Sequence, residues 1–223
     1  MLKTKNLIFS ISIISTIIML LVDGVIAPAY WIKSLIKIIF FLLLPLMLLT
    51  SNKEMSLKSM FKLNKKGLLN SLGLGILLYV IILIAYFIAG NFFDFNSTIN
   101  TLKSGGAVNE NNFIGIAIYI TFINSFLEEF FFRGFAFLNL KRFTSRKMAY
   151  IFSALLFSIY HVAMMWNWFS IWLFALILMF LAIGGAIFNY LCEKYDNIYM
   201  SWIVHLFANL SINSIGLILL NLI

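Results

Sequence analysis

Seven long apolar runs divide this chain, and no other feature of it restricts the fold as strongly. They cover residues 6–22, 31–50, 69–93, 113–140, 148–166, 169–191 and 198–222. A helix rises about 1.5 Å per residue, so roughly 20 apolar residues cross the ~30 Å hydrocarbon core of a bilayer. Within that core every backbone N–H and C=O must bond inside the protein, which makes a helix of each run. Composition agrees. Hydrophobic residues make up 63% of the chain and charged ones 11%, against about 25% charged in a typical soluble domain. Mean hydropathy is +1.02. So few charges cannot cover a water-facing surface. The expected fold is all-α: a polytopic transmembrane bundle of about seven spans, forming one membrane domain over 1–223.

The connections refine this. The segment "SLKSMFKL" (56–63) has the pattern of a short amphipathic helix lying at the interface. The stretch 94–112, "DFNSTINTLKSGGAVNENN", is polar and glycine-bearing and reads as a loop. The fourth run is too long for a single straight crossing. It carries Gly134 near its end, where a bend or a continuation along the interface is expected. The first run resembles a signal peptide followed by Ala27-Pro28-Ala29, but six further runs favour an uncleaved anchor. The formal charge of +8 does not indicate a nucleic-acid partner here. With the N-terminus in the cytoplasm, twelve of the sixteen lysines and arginines face that side, as expected of cytoplasmic loops. Lys33 and Lys37, near the start of the second run, then have to snorkel outward. The lone Cys192 has no disulfide or thiolate partner and reads as a small packing residue.

Ionisable groups at bilayer depth are costly and mark function by default. The fourth run contains "LEEFFFRG". Glu129 and Arg133 stand four apart on one helix face and can pair, while Glu128 points about 100° away. An ion pair that merely holds helix packing would leave Glu128 unexplained. Both histidines of the chain, His161 and His205, also fall within runs. Phe157 lies one turn before His161, and Asn209 one turn after His205 on the same face. Packing accounts for Phe157, and hydrogen-bonded glue between helices is one reading of Asn209. Counting 1.5 Å per residue, Glu128 and His161 each lie roughly 20 Å from the basic loop at 141–147. His205 comes about 10 Å nearer to that side.

Taken in order, Glu128-Glu129-x-x-x-Arg133, Phe157-x-x-x-His161 and His205-x-x-x-Asn209 resemble the CPBP family (CAAX protease and bacteriocin-processing, or Abi), the type II CAAX-prenyl-endopeptidase-like intramembrane proteases. The resemblance spans about 114–220 and makes 113–223 the catalytic core, with 1–112 as N-terminal spans. It implies hydrolysis of a peptide bond in a membrane protein or peptide. Glu128 would be the general base for water, Arg133 would hold Glu129, and His161 would position the water. His205 and Asn209 would donate to the oxyanion. The family carries a metalloprotease label alongside a metal-free glutamate mechanism. Two histidines and a carboxylate, His161, His205 and Glu128, could hold zinc. The chain has no H-E-x-x-H, and the metal-free mechanism is preferred.

Two other classes compete. Glutamates and histidines at membrane depth also serve proton- or ion-coupled transporters, although the inverted repeats of many carriers are not visible. A non-catalytic bacteriocin-immunity or regulatory protein on the same scaffold would keep the fold without needing the motifs. Members of the family process prenylated CAAX proteins, bacteriocin leaders or signalling peptides. A chain rich in Lys, Ile and Asn looks prokaryotic, which favours a peptide or small membrane protein in a cell membrane over prenylated substrates.

Overall fold

The computed structural model describes residues 2–90, 112–166 and 170–223. Among them the chain is all-helical, with no strand, and contains seven principal helices. These are α1 (Leu2–Ile26), α2 (Tyr30–Ser51), α3 (Lys65–Ala89), α4 (Phe113–Arg142), α5 (Arg146–Tyr160), α6 (Ile171–Tyr195) and α7 (Tyr199–Leu219). Six are long and apolar enough to cross a membrane, so this is a multi-pass membrane protein. The exception is α5. It stops at Tyr160, and a single helical turn, Val162–Met165, follows His161. The loop expected at 94–112 lies outside the described residues except for Asn112, as do 91–93 of the third run.

Local chemistry sets the ends. Asn64 caps α3 by accepting the Gly67 N–H at 2.8 Å, and Ser145 caps α5 by accepting the Met148 N–H at 3.2 Å, the usual task of an N-cap. At the end of α1, Ala27 takes a left-handed conformation (φ 42°) and its N–H returns to the Val22 carbonyl. Pro28 cannot continue the helix. Within α2, π-helical turns over Ile38–Leu43 directly precede Pro45. A proline ring meets the carbonyl four residues back in a regular helix, and the widened turns make room for it.

The centre of the bundle is the second half of α4, which α1, α2, α5 and α6 surround. Residues Glu129–Asn139 form a long π-helical stretch in which every residue is buried. Phe131 stacks on Phe41 of α2 with centroids 4.1 Å apart, and Phe132 meets Phe157 and Tyr160 of α5. Apolar residues occupy most of the circumference of this π-helical stretch, and its polar Glu129, Arg133 and Asn139 find partners inside the bundle, so it belongs in an interior. The half that was expected to bend at Gly134 or lie along the interface therefore runs unbroken through the core. Gly134 has a packing role instead: a Cβ there would meet the Met60 methyl at 2.0 Å.

Met60 belongs to the segment expected as an interfacial helix, which is not one. Only Lys58–Met60 is helical, as one 3-10 turn. The reason is that its backbone groups are already engaged. Asn139 accepts the Ser56 N–H at 2.9 Å and donates to the Ser56 carbonyl at 3.3 Å. The Ile198 N–H bonds to the Met60 carbonyl at 3.0 Å, and Phe61 forms a β-bridge with Asn197. This strap packs across α4 at the level where α7 begins. Ile198 also neighbours Gly134, eight residues or about 12 Å before the end of α4. That offset absorbs the ~10 Å depth difference between His205 and Glu128.

Outward faces are apolar: Trp172, Phe87, Ile76, Leu77 and Ile183 are all exposed, as suits lipid contact. At the basic end, Glu193 of α6 accepts from Lys141 (3.1 Å), Arg146 (2.7 Å) and the Tyr150 hydroxyl (2.6 Å), tying α6 to the α4–α5 turn.

Close helix contact needs small residues. A Cβ at Gly185 of α6 would stand 3.1 Å from the Ala154 Cα of α5, whereas one at Gly73 would meet nothing within 4 Å. Gly185→Val should therefore destabilise the bundle by about 1–3 kcal/mol, and Gly73→Ala should leave it unchanged. The buried Cys192 provides the measurement, as the temperature at which its thiol becomes reactive in detergent.

Candidate active site

Three helices bring the motif residues together. On α4, Glu128 ends a short α-helical piece and Glu129 begins the π-helical stretch. Their side chains diverge, as the helical spacing predicts. Glu128 is 2% exposed and Glu129 fully buried. Oε2 of Glu128 faces two imidazole nitrogens, Nε2 of His205 at 3.7 Å and Nε2 of His161 at 4.0 Å. Separations beyond 3.5 Å between such groups suit a bridging water.

The two rings are oriented by different devices. Where α5 ends, the His161 N–H bonds to the Ser158 carbonyl rather than to that of Phe157. The imidazole Nδ1–H donates to the Phe157 carbonyl instead, at 2.7 Å. His161 thus ends its own helix, and Nε2 is left with the lone pair. His205 donates Nδ1–H to Oε1 of Glu129 at 2.9 Å, which turns Nε2 toward Glu128. Its ring stacks on Phe188 and meets the Phe157 ring edge-on.

Arg133 pairs with Glu129, Nη1 to Oε1 at 3.5 Å, and both are completely buried. Among the described residues its guanidinium nitrogens make no hydrogen bond. The aromatic rings of Phe157 (4.0 Å), Phe188 (5.0 Å) and Phe132 (5.9 Å) enclose it instead. Cation–π attraction is strongest in such a desolvated setting, about 2 kcal/mol or more. Phe157 is therefore more than filler: it supports the arginine and both histidines. Phe188 carried no sequence signal of its own.

Asn209 sits one turn beyond His205, with its amide donating to the Ile120 carbonyl of α4 at 3.2 Å. Asn213 repeats the contact one turn later, to the Ala117 carbonyl and the Thr121 hydroxyl. These bonds zip α7 antiparallel to α4 and set His205 at the level of Glu129.

Lys37 departs from expectation. Instead of snorkelling outward it turns into the bundle, 4% exposed, with Nζ 2.6 Å from Oε1 of Glu128. It also donates to Oδ1 of Asn124, whose amide donates to the same Glu128 oxygen at 2.8 Å. The reason is electrostatic: a buried carboxylate needs a partner, and α2 carries the nearest cation. Lys33, four residues earlier, pairs with Asp23 at 3.4 Å. Position was the available signal. Lys37 lies seven residues inside its run, too deep for an indifferent lysine, and Asn124 lies four before Glu128 on the same face.

Two anchored imidazoles whose Nε2 atoms face one carboxylate have the chemistry of metal ligands, but that carboxylate is already paired with the Lys37 ammonium. Among the described residues no group of His, Cys, Asp and Glu is arranged to hold a metal.

Arg133→Met would leave Glu129 as an unpaired buried charge, a loss of about 3–5 kcal/mol. Arg133→Met combined with Glu129→Gln should recover part of it. Cys192 thiol exposure on heating measures both variants.

Residues 110–211 match the family model described as type II CAAX prenyl endopeptidase Rce1-like. No curated protein and no solved structure matches the chain. Glu128, Glu129, Arg133, His161, His205 and Asn209 all fall inside the matched segment, whereas Lys37 lies outside it. Over residues 110–211, a little under half of its length, the chain is thus similar to the Rce1-like type II CAAX prenyl endopeptidases, a family of proteases.

Proposed function

We propose that this protein is an intramembrane endopeptidase that hydrolyses a peptide bond of a membrane protein or peptide with water activated by Glu128. The observation that most supports this is the convergence of Glu128 Oε2 with Nε2 of His161 and His205, at 4.0 and 3.7 Å. A water molecule among the three would donate to Oε2 and be oriented by the imidazoles. Glu128 takes its proton as the oxygen attacks the scissile carbonyl, then passes that proton to the leaving nitrogen. His205 is backed by the Glu129 carboxylate at Nδ1, an arrangement that stabilises an imidazolium, as a carboxylate does for histidine in a hydrolytic triad. That imidazolium, protonated at Nε2 from solvent before the substrate binds, donates Nε2–H to the oxyanion and keeps the proton when the intermediate collapses. Asn209 uses one amide hydrogen on Ile120, and its second is available to the same oxygen. Arg133 holds Glu129, and no step passes through a metal.

The N-terminus and the basic loops lie in the cytoplasm on this reading, and the substrate is a membrane-embedded protein or peptide of a prokaryotic cell rather than a prenylated one. The carrier and immunity-protein alternatives have no comparable observation behind them.

The test uses purified protein in lipid nanodiscs, a pool of single-span peptides and mass spectrometry of new termini. Wild type should cut at defined bonds. Glu128→Gln, His161→Ala and His205→Ala should each lower the rate of the folded fraction about 10²–10⁴-fold, with Glu128→Gln also lowering the unfolding temperature because it leaves the buried Lys37 unpaired. A folded variant cutting at full rate removes that residue from the mechanism. Incubation with 1,10-phenanthroline should leave cleavage unchanged; a loss that zinc restores would rule out the metal-free route.

A further inference from the structure

We propose that Lys37 and Asn124 are positioning residues of the active site, holding Oε1 of Glu128 so that Oε2 alone remains for water. The inference rests on the endopeptidase reading above. A carboxylate turns readily about its last side-chain bond and its two oxygens are equivalent unless the surroundings distinguish them. Here they do. Oε1 receives the Lys37 ammonium at 2.6 Å and the Asn124 amide at 2.8 Å, while Lys37 also donates to Asn124 Oδ1. The three groups form a closed ring of hydrogen bonds. Two charge-assisted donors meet the lone-pair capacity of Oε1, so the carboxylate plane is set and Oε2 is directed at the two imidazoles.

The ammonium is held in turn. It rests against the rings of Tyr160, at 4.8 Å, and Phe41, at 5.4 Å. Tyr160 immediately precedes His161, and their rings meet edge-on. Phe41 stacks on Phe131 of α4. Lys37 therefore couples the orientation of Glu128 to the helix end that aims His161. It comes from α2, outside the matched segment 110–211, so the N-terminal half of the chain completes the site.

A lysine that only neutralised a buried charge would affect stability and leave turnover of the folded protein untouched. A positioning lysine changes turnover. The probe is the pool peptide that wild type cleaves fastest, assayed at varied concentration in nanodiscs. Lys37→Met should lower kcat at least about tenfold with KM within about twofold, and Lys37→Arg should retain more activity than Lys37→Met. Asn124→Ala leaves no charge unpaired and should lower kcat about three- to tenfold with KM again unchanged; it decides the matter if Lys37→Met does not fold. Wild-type kcat in Asn124→Ala and in any folded Lys37 variant overturns the positioning role and leaves the endopeptidase reading standing. Wild-type cleavage by Glu128→Gln overturns that reading and the role together.

Discussion

Two adjacent carboxylates in the interior of a membrane protein require two cations, and much of this architecture answers that requirement. Glu128 and Glu129 leave α4 in different directions, so one cation cannot serve both. Arg133 compensates Glu129 from within the same helix. Lys37 compensates Glu128 from α2. Each pair is almost wholly buried, where losing one partner is far costlier than the pair itself is stabilising. Helix α2 must therefore lie against α4 at one register, with Lys37 level with Glu128 and Phe41 against Phe131.

The same helix solves a second problem. The α4 stretch from Glu129 to Asn139 is π-helical and buried on every side, and π-helical turns recur in proteins where side chains need unusual directions. Wider turns shift the angular spacing of Arg133 from Glu129 away from that of an α-helix. Their contact is a single 3.5 Å approach rather than a forked pair, and aromatic faces supply the remaining solvation of the guanidinium. The length of α4 also lets α7 start part-way along it, which brings His205 to Glu129 although the two lie at different distances from their helix ends.

The histidines show how backbone and side chain share a task. The carbonyl of Phe157 is released where α5 ends, and it takes up the His161 ring; the carboxylate of Glu129 takes up the His205 ring. Both rings consequently turn the same nitrogen inward. One carboxylate is thus structural support for a ring while its neighbour faces the space between the two rings, a division of labour between residues adjacent in sequence.

The sequence alone determined that this chain is a helical membrane bundle, because apolar runs of that length have no other way to satisfy their backbone in lipid. It also revealed which polar residues were out of place, and the periodicity of a helix separated Glu128 from the Glu129–Arg133 pair. Local spacing could go no further. The partner of Glu128 is Lys37, ninety-one residues away, and although the depth of Lys37 in its run marked it as unusual, nothing in the sequence said which carboxylate it would meet. The segment 56–63 resembled an amphipathic helix until Asn139 and Ile198 claimed its backbone, and Gly134 resembled a hinge until Met60 filled the space beside it. Tertiary structure decided these because each depends on which group is near enough to bond, and in a low-dielectric interior the nearest compensating partner outweighs local propensity.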